Sequence, residues 1–379
     1  MTGWTITGGQ VLREARIAPG TLALSDGVVA GDAAPAARHF DAAGLLVMPG
    51  IVDIHGDAHE RQFQPRPGVS IPAPQALRDS AAQILAAGIT TAFLGVTLSW
   101  EPGLRSLEAW KTLLAELETA RPSLAADLRV HLRFEVDNLA ALDTALADIA
   151  AGRVDLVAFN DHTPSIARKL VKEAAASKYA ERAGVGVAEI RAMAETVLAE
   201  RHAMPAARER LAAAARARGL SMLSHDDATL EDRALHRALG AAICEFPMAE
   251  EVGRDARARG EDVVMGAPNV VRGGSHLGWA SAAPLAEQGI VTILASDYVW
   301  PCLMQAAFIL EGRGVLDLAA AWALISANPA RAAGLKDRGR LATGLRGDVV
   351  VVDPASRSTV AVFCAGELSW VAPQAAARI

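Results

Sequence analysis

Residues Leu46–Asp57 read LVMPGIVDIHGD, a β-branched run that ends in a His-x-Asp pair. Continuous apolar character over so few residues, closed by glycine and polar side chains, marks a strand buried on both faces, as in a parallel sheet. Seven further runs of this kind follow before Tyr298: TTAFLGV, RVHLRFEV, VDLVAFND, SMLSHDD, AAICEFP, DVVMGAPN and VTILASDY. Stretches rich in Ala, Leu, Glu and Arg, with helical period, separate them. Strands alternating with helices predict a parallel sheet, and eight such units predict an α/β fold closed as a (β/α)8 TIM barrel. Chemistry in such barrels sits at the C-terminal ends of the strands, where this chain keeps most of its notable His, Asp and Glu residues.

The flanks read differently. WTITGGQVL and GTLALSDGVVAGD at one end, and RGDVVVVDP and TVAVFCAGELSW at the other, are short β-like segments with glycine turns. Neither flank is long enough to bury a core alone, so residues 1–49 and 336–379 are expected to pair into one small β-sandwich, with a barrel over 50–335 as the insert. One connection, about 163–219, is unusually long. Val187, Ile190, Met193, Val197 and Leu198 recur there at helical spacing, which predicts an amphipathic helix in an excursion on the catalytic face.

Composition limits the function classes. The chain has 379 residues, about half of them apolar (51%), with 21% charged and a formal charge of −6. Disorder is excluded, and there is no basic field for nucleic acid, so an anionic ligand must be held by a local cluster. No apolar run reaches the roughly 18–20 residues that a membrane span needs, and the first 20 residues lack the pattern of a signal peptide; a cytoplasmic location with no membrane partner is expected. Cys244, Cys302 and Cys364 are too scattered for a disulfide framework or a paired-cysteine zinc site and read as buried small hydrophobes.

A strand exposes alternate residues on one face, so His55 and Asp57 point the same way and can share a cation; imidazole and carboxylate suit zinc or manganese. Alone, the pair also suits turn hydrogen bonds. Glu135, His162, His225 and Asp297 fall at or near later strand ends, and unpaired buried carboxylates are costly, so a bound cation explains the set together. Two cations about 3.5–4 Å apart, bridged by Glu135 and a hydroxide, with Asp297 taking the proton of the nucleophile, make the reaction a metal-assisted hydrolysis.

These residues resemble the amidohydrolase superfamily, whose pattern is His-x-His or His-x-Asp on the first strand, a bridging Lys or Glu, two later histidines and a final Asp. A β-domain built from both termini is also typical of that superfamily. Many relatives bridge with a carboxylated lysine; here Lys111, Lys169, Lys172, Lys178 and Lys336 all lie off the expected strands, which leaves Glu135. The segments PRPGVSIP (65–72), GITT (88–91), HLRFE (131–135), SHDDAT (224–229), EFP (245–247), MGAPNVVRGGSH (265–276) and ASDY (295–298) look like the PhnM family of the carbon–phosphorus lyase pathway, in the same order along nearly the whole chain.

That resemblance implies a diphosphatase which hydrolyses α-D-ribose 1-methylphosphonate 5-triphosphate to the 5-phosphate and pyrophosphate, using one or two divalent metals: zinc, with manganese or iron as alternatives. Anion holders are then required. Arg272, the amides of Gly273 and Gly274, and His276 make a candidate cradle, with Arg66, Lys178 and Tyr179 as further candidates. One of Asp226 and Asp227 is expected to orient a ligand while the other caps the next helix. His39, His131, His202 and His236 receive no role, and His59 reads as a loop residue. The competing enzymatic reading is an amidohydrolase acting on a cyclic amide, an N-acyl amino acid or an N-acetyl sugar. A non-catalytic scaffold would be missing ligand types that are all present here. Apolar faces on the long connection make a homo-oligomer the expected assembly.

Overall fold

The structure is a computed structural model that describes residues 3–32, 38–275 and 278–379. Its centre is an eight-stranded parallel sheet whose strands, in chain and spatial order, are Ile51–Gly56, Ile89–Leu98, Asp127–Glu135, Leu156–Asn160, Ser221–His225, Ile243–Glu245, Asp262–Gly266 and Ile293–Ala295. They are called barrel strands 1 to 8 below. Helices cover the outside, so each strand is buried on both faces, which is why most of the runs lack polar alternation. Val52, Ile54, Phe93, Leu156, Ala158, Leu223, Ile243, Val264 and Ile293 fill the interior, and a larger apolar layer lies between strands and helices.

Closure is local. Strands 8 and 1 meet only at the mouth, where Gly56 bridges Asp297, the Asp297 amide donates to His55 O (3.0 Å) and the Asp57 amide to Asp297 O (2.8 Å). Lower down, the segment Leu324–Ile325 fills the seam: Val52 N donates to Ile325 O and Leu294 N to Leu324 O, both at 2.9 Å. The seam therefore sets Asp297 beside His55.

The run Leu46–Asp57 is not one strand. Leu46–Pro49 belongs to the other sheet, and barrel strand 1 begins at Ile51. Gly50 is the junction, where an added Cβ would lie 2.3 Å from Thr90 Oγ1, so only glycine lets the chain cross from one sheet to the other.

The second sheet joins both chain ends. Its order is Glu367–Val371, Ser358–Cys364, Val349–Asp353, Leu46–Pro49, Gly3–Arg13, Arg16–Ser25 and Val28–Gly31, with Arg38–Asp41 beside Gly3–Arg13. Trp4 and Phe363 sit three strands apart, about 14 Å in a flat sheet. Their ring centroids are 5.4 Å apart, so the sheet curls about its own core, helped by an irregularity between Ile6 and Gly9.

The long connection forms four helices, Thr163–Leu170, Glu173–Ala183, Val187–Glu200 and Met204–Ala217. Ile166, Leu170, Ala176, Ala180, Ile190 and Ala194 make a small core of their own. The amphipathic stripe is rotated from the expectation: Ile190 and Ala194 are buried while Leu198 is exposed, because the helix packs on its alanine face. Among the cysteines, Cys302 is only half-buried, unlike Cys244 and Cys364. No helix among the described residues is long and apolar enough to cross a membrane.

Candidate metal centre and active-site mouth

Barrel strand 3 supplies the clearest alternation. Val130, Leu132 and Phe134 face the helices, so His131, Arg133 and Glu135 face the interior. On strand 1 the period is broken. An irregular pairing between Asp53 and Gly56 re-aims the chain, and His55 and Asp57 reach the mouth although Val52 and Ile54 fill the interior below. Beyond strands 5, 6 and 8, Asp226, Phe246 and Asp297 all take left-handed backbone (φ 57°, 53° and 54°), a strained conformation that bends each chain over the mouth.

Three overlapping sets of donors result, each with ligand atoms within 4.8 Å of one another: His55, His225 and Glu245; His162, His225 and Asp226; and His55, Asp57 and Asp297. Glu245 holds the first set together, with Oε1 2.8 Å from His55 Nδ1 and Oε2 2.8 Å from His225 Nδ1. The two rings stack in parallel at 5.6 Å.

The donors fit a divalent cation on two observations. His55 Nδ1 and Glu245 Oε1 are buried and close, yet not aligned as a hydrogen bond, and neither has another partner. Burial also pushes the His55 imidazole down to about 4, against the pull of Glu245, so it is a neutral lone-pair donor at neutral pH. The two carboxylates shift in opposite directions although burial acts on both in the same sense. Burial, reinforced by the charge of Asp57, lifts Asp297 to about 7. Burial opposes ionisation of Glu245 as well, but the neighbouring histidines hold it well below the usual carboxylate range.

Glu135 has a different place from the bridging one expected of it. One oxygen accepts from the His162 amide at 3.0 Å, the other contacts His162 Nδ1 at 2.5 Å, and Glu135 belongs to none of the three sets. Both oxygens are occupied in orienting His162, whose pKa is raised to about 9 because Glu135 and Asp226 outweigh its burial. Asp226 lies in the mouth, 3.6 Å from His162 Nε2. Asp227 points away, to Arg233, His236 and Ser224, and caps no helix; Thr229 does that in a capping box with Asp232.

A cavity of about 330 Å³ opens over these groups. Its wall takes Tyr179, Arg272 and Gly274 from the expected anion holders, but neither Arg66 nor Lys178, both exposed elsewhere. Gly273 is also absent from the wall. It is the left-handed C-cap of helix Ala267–Arg272 (φ 86°), its amide donating to Val270 O; the Gly274 amide donates to Asn269 O, so neither amide is free to cradle phosphate. His276 lies outside the described residues. His59 sits in the turn that follows barrel strand 1, is buried, and lines a separate small cavity with Phe63 and Leu104.

Several mouth residues escaped the sequence reading. His131, given no role, donates from Nδ1 to Ile54 O at 3.0 Å and leaves Nε2 buried without a partner, edge-on to His55. Its signal was the i, i+2, i+4 spacing of His131, Arg133 and Glu135. Glu245 was legible as the one charge in an otherwise apolar strand. Glu101, Arg105, Lys169 and Arg182 carried no such signal, because they lie beyond the strands, in the turn after barrel strand 2 and on helices of the long connection.

No family model matches the chain. It is 34% identical over 352 residues to the α-D-ribose 1-methylphosphonate 5-triphosphate diphosphatase of Escherichia coli (strain K12), covering 90% of this chain and 93% of that one. Among solved structures, it superposes on a β-aspartyl dipeptidase from Fervidobacterium islandicum AW-1 (TM-score 0.65, 17% identity, 97% and 96% of the two chains). Molinate hydrolase (0.64, 15%, 97% and 94%) and D-hydantoinase (0.63, 13%, 97% and 95%) superpose equally well. These three share the fold at low identity, whereas the bacterial diphosphatase matches in sequence over nearly the full length of both chains. The chain therefore belongs to the PhnM family, the α-D-ribose 1-methylphosphonate 5-triphosphate diphosphatases.

Proposed function

We propose that the protein hydrolyses α-D-ribose 1-methylphosphonate 5-triphosphate to the 5-phosphate and pyrophosphate, with one or two divalent cations held by His55, Asp57, His162, His225, Asp226, Glu245 and Asp297. Zinc suits this nitrogen and oxygen donor set, as do manganese and iron. The observation that carries the reading is a single cavity joining cation-binding donors to unpaired positive charge. Lys169 and Arg272 line its wall and, among the described residues, form no ion pair, whereas Arg105 is paired with Glu60 and Arg182 with Glu101.

A bound divalent cation supplies an acidified water and draws charge from the phosphoryl oxygens. The chain supplies the rest. Asp297, held near 7 beside His55 and Asp57, accepts the proton of the attacking water. Glu245 fixes the ring of His225, and Glu135 fixes that of His162. Lys169 and Arg272 hold the outer phosphates, and Trp279 and Tyr298, both partly exposed on the wall, offer apolar faces to the ribose. Pyrophosphate leaves without needing a strong general acid, unlike an amide nitrogen.

Phosphorus NMR of the metal-loaded protein with the ribosyl triphosphate should show pyrophosphate appearing with the 5-phosphate. Absence of pyrophosphate, together with turnover of a cyclic amide or N-acyl amino acid, would replace this reading with the amidohydrolase one.

A further inference from the structure

Among the described residues, Arg133 is the one arginine of the mouth that is both deeply buried, at 6% exposure, and poorly partnered. Its guanidinium lies 3.4 Å from Asp57 Oδ2, a long contact, and 3.0 Å from His225 Nε2, while its Nε is buried with no partner. Arg105, by contrast, makes two 3.1 Å bonds to Glu60. A guanidinium has five N–H donors, and leaving them unsatisfied in a buried site is costly unless a ligand completes them. The neighbouring strand makes room for this arm. Gly95 stands beside it, and a Cβ there would come within 3.3 Å of Arg133 Cδ. Through Asp57 and His225, the guanidinium touches members of all three donor sets.

We propose that Arg133 is a further catalytic residue, whose guanidinium donates to the two non-bridging oxygens of the phosphoryl group under attack and so favours a phosphoanhydride over an amide. The proposal rests on the diphosphatase reading above. A planar fork matches a pair of phosphoryl oxygens, whereas a carbonyl under attack presents a single developing oxyanion. In the step, the water oxygen bonds to the α-phosphorus and the bond from that phosphorus to the pyrophosphate oxygen breaks, its electron pair leaving with pyrophosphate. One water proton passes to Asp297, the other stays on the new phosphate oxygen, and Arg133 remains charged throughout.

The test compares wild type, Arg133→Met and Arg133→Lys as full-length, metal-loaded proteins. Metal content per chain, thermal melting, pyrophosphate release and calorimetric binding of inorganic pyrophosphate are measured for each. Arg133→Met should keep its metal, lose kcat by roughly 100- to 1,000-fold and bind pyrophosphate at least about 10-fold more weakly. Arg133→Lys should recover much of the binding and little of kcat, since it keeps the charge without the fork; it serves as the measure if Arg133→Met does not fold. Turnover within threefold of wild type in either variant, or metal lost in step with activity, would overturn the proposal. If wild type releases no pyrophosphate at all, the diphosphatase reading fails separately. The pyrophosphate affinities of the variants then decide the role of Arg133 alone, and equal affinities refute it.

Discussion

Replacing Arg233 with methionine tests how the mouth is supported from behind. Arg233 is fully buried on helix Leu230–Ala238. Its guanidinium donates to Ser224 Oγ at 2.5 Å, to Asp227 Oδ2 at 3.2 Å and to the carbonyl of Ala241, and its Nε lies 3.2 Å from Glu261 Oε2. These contacts tie the end of barrel strand 5 to the chain entering strand 6, the two strands that deliver His225 and Glu245. In the variant, Asp227 keeps Ser224 and His236 but loses its arginine, and the Ala241 carbonyl loses a donor. Breaking a buried pair from one side costs about 3–5 kcal/mol, because the remaining charge stays buried. With unfolding entropy near 2.1 cal/mol/K per residue, a chain of 379 residues loses roughly 5 °C of Tm for about 4 kcal/mol. Differential scanning calorimetry of Arg233→Met, Asp227→Asn and the double variant supplies the measurement. The double variant should melt above Arg233→Met, since neutralising Asp227 removes the stranded charge. A drop below about 1 °C in Arg233→Met, or strictly additive losses in the double variant, would show that this pair does not brace strand 5.

Two other substitutions separate the carboxylates of the mouth. Glu245→Gln should lose most bound metal by elemental analysis, while Glu135→Gln, which disturbs only the setting of His162, should weaken binding by about 10- to 100-fold; the reverse order would restore Glu135 as a bridge. Chelation of a metal present at about 100 times its Kd should remove about 2.7 kcal/mol, lowering Tm by roughly 3 °C. An unchanged melting curve would argue that the folded mouth binds no ion. Asp127 gives the pH test: burial opposes its ionisation, but Arg129 and Arg338 hold its pKa below the usual value, with Arg338 Nη1 at 2.6 Å. A carboxyl depressed in the folded state adds stability above its unfolded pKa and loses it as pH falls through the lower folded value. Asp127→Asn should therefore melt below wild type at pH 7, by about 2 kcal/mol, with the gap closing towards pH 3; a gap independent of pH would refute the charge pairing.

Much of this protein was legible along the chain, for local reasons. Strands buried on both faces show as unbroken apolar runs, and helices between them show their own period, so the barrel and the sheet made from both termini follow from patterning alone. Strand ends lie at the mouth of such a barrel, which is why His55, Asp57, His225 and Asp297 could be named as ligand candidates without coordinates. What patterning could not supply was pairing across long separations. Asp297 meets His55 because the seam between strands 8 and 1 closes only at Gly56, and Glu245 joins His55 to His225 because strand 6 ends at their level. Glu135 and Gly273 show the opposite limit. Each has the residue type its expected role requires, but its groups are already committed, to His162 in one case and to a helix C-cap in the other. Residue type and spacing determined which groups this chain could bring to a cation. Only the packed tertiary structure decided which of them meet, because donors far apart along the chain come within reach of one cation only when the barrel brings their strand ends together.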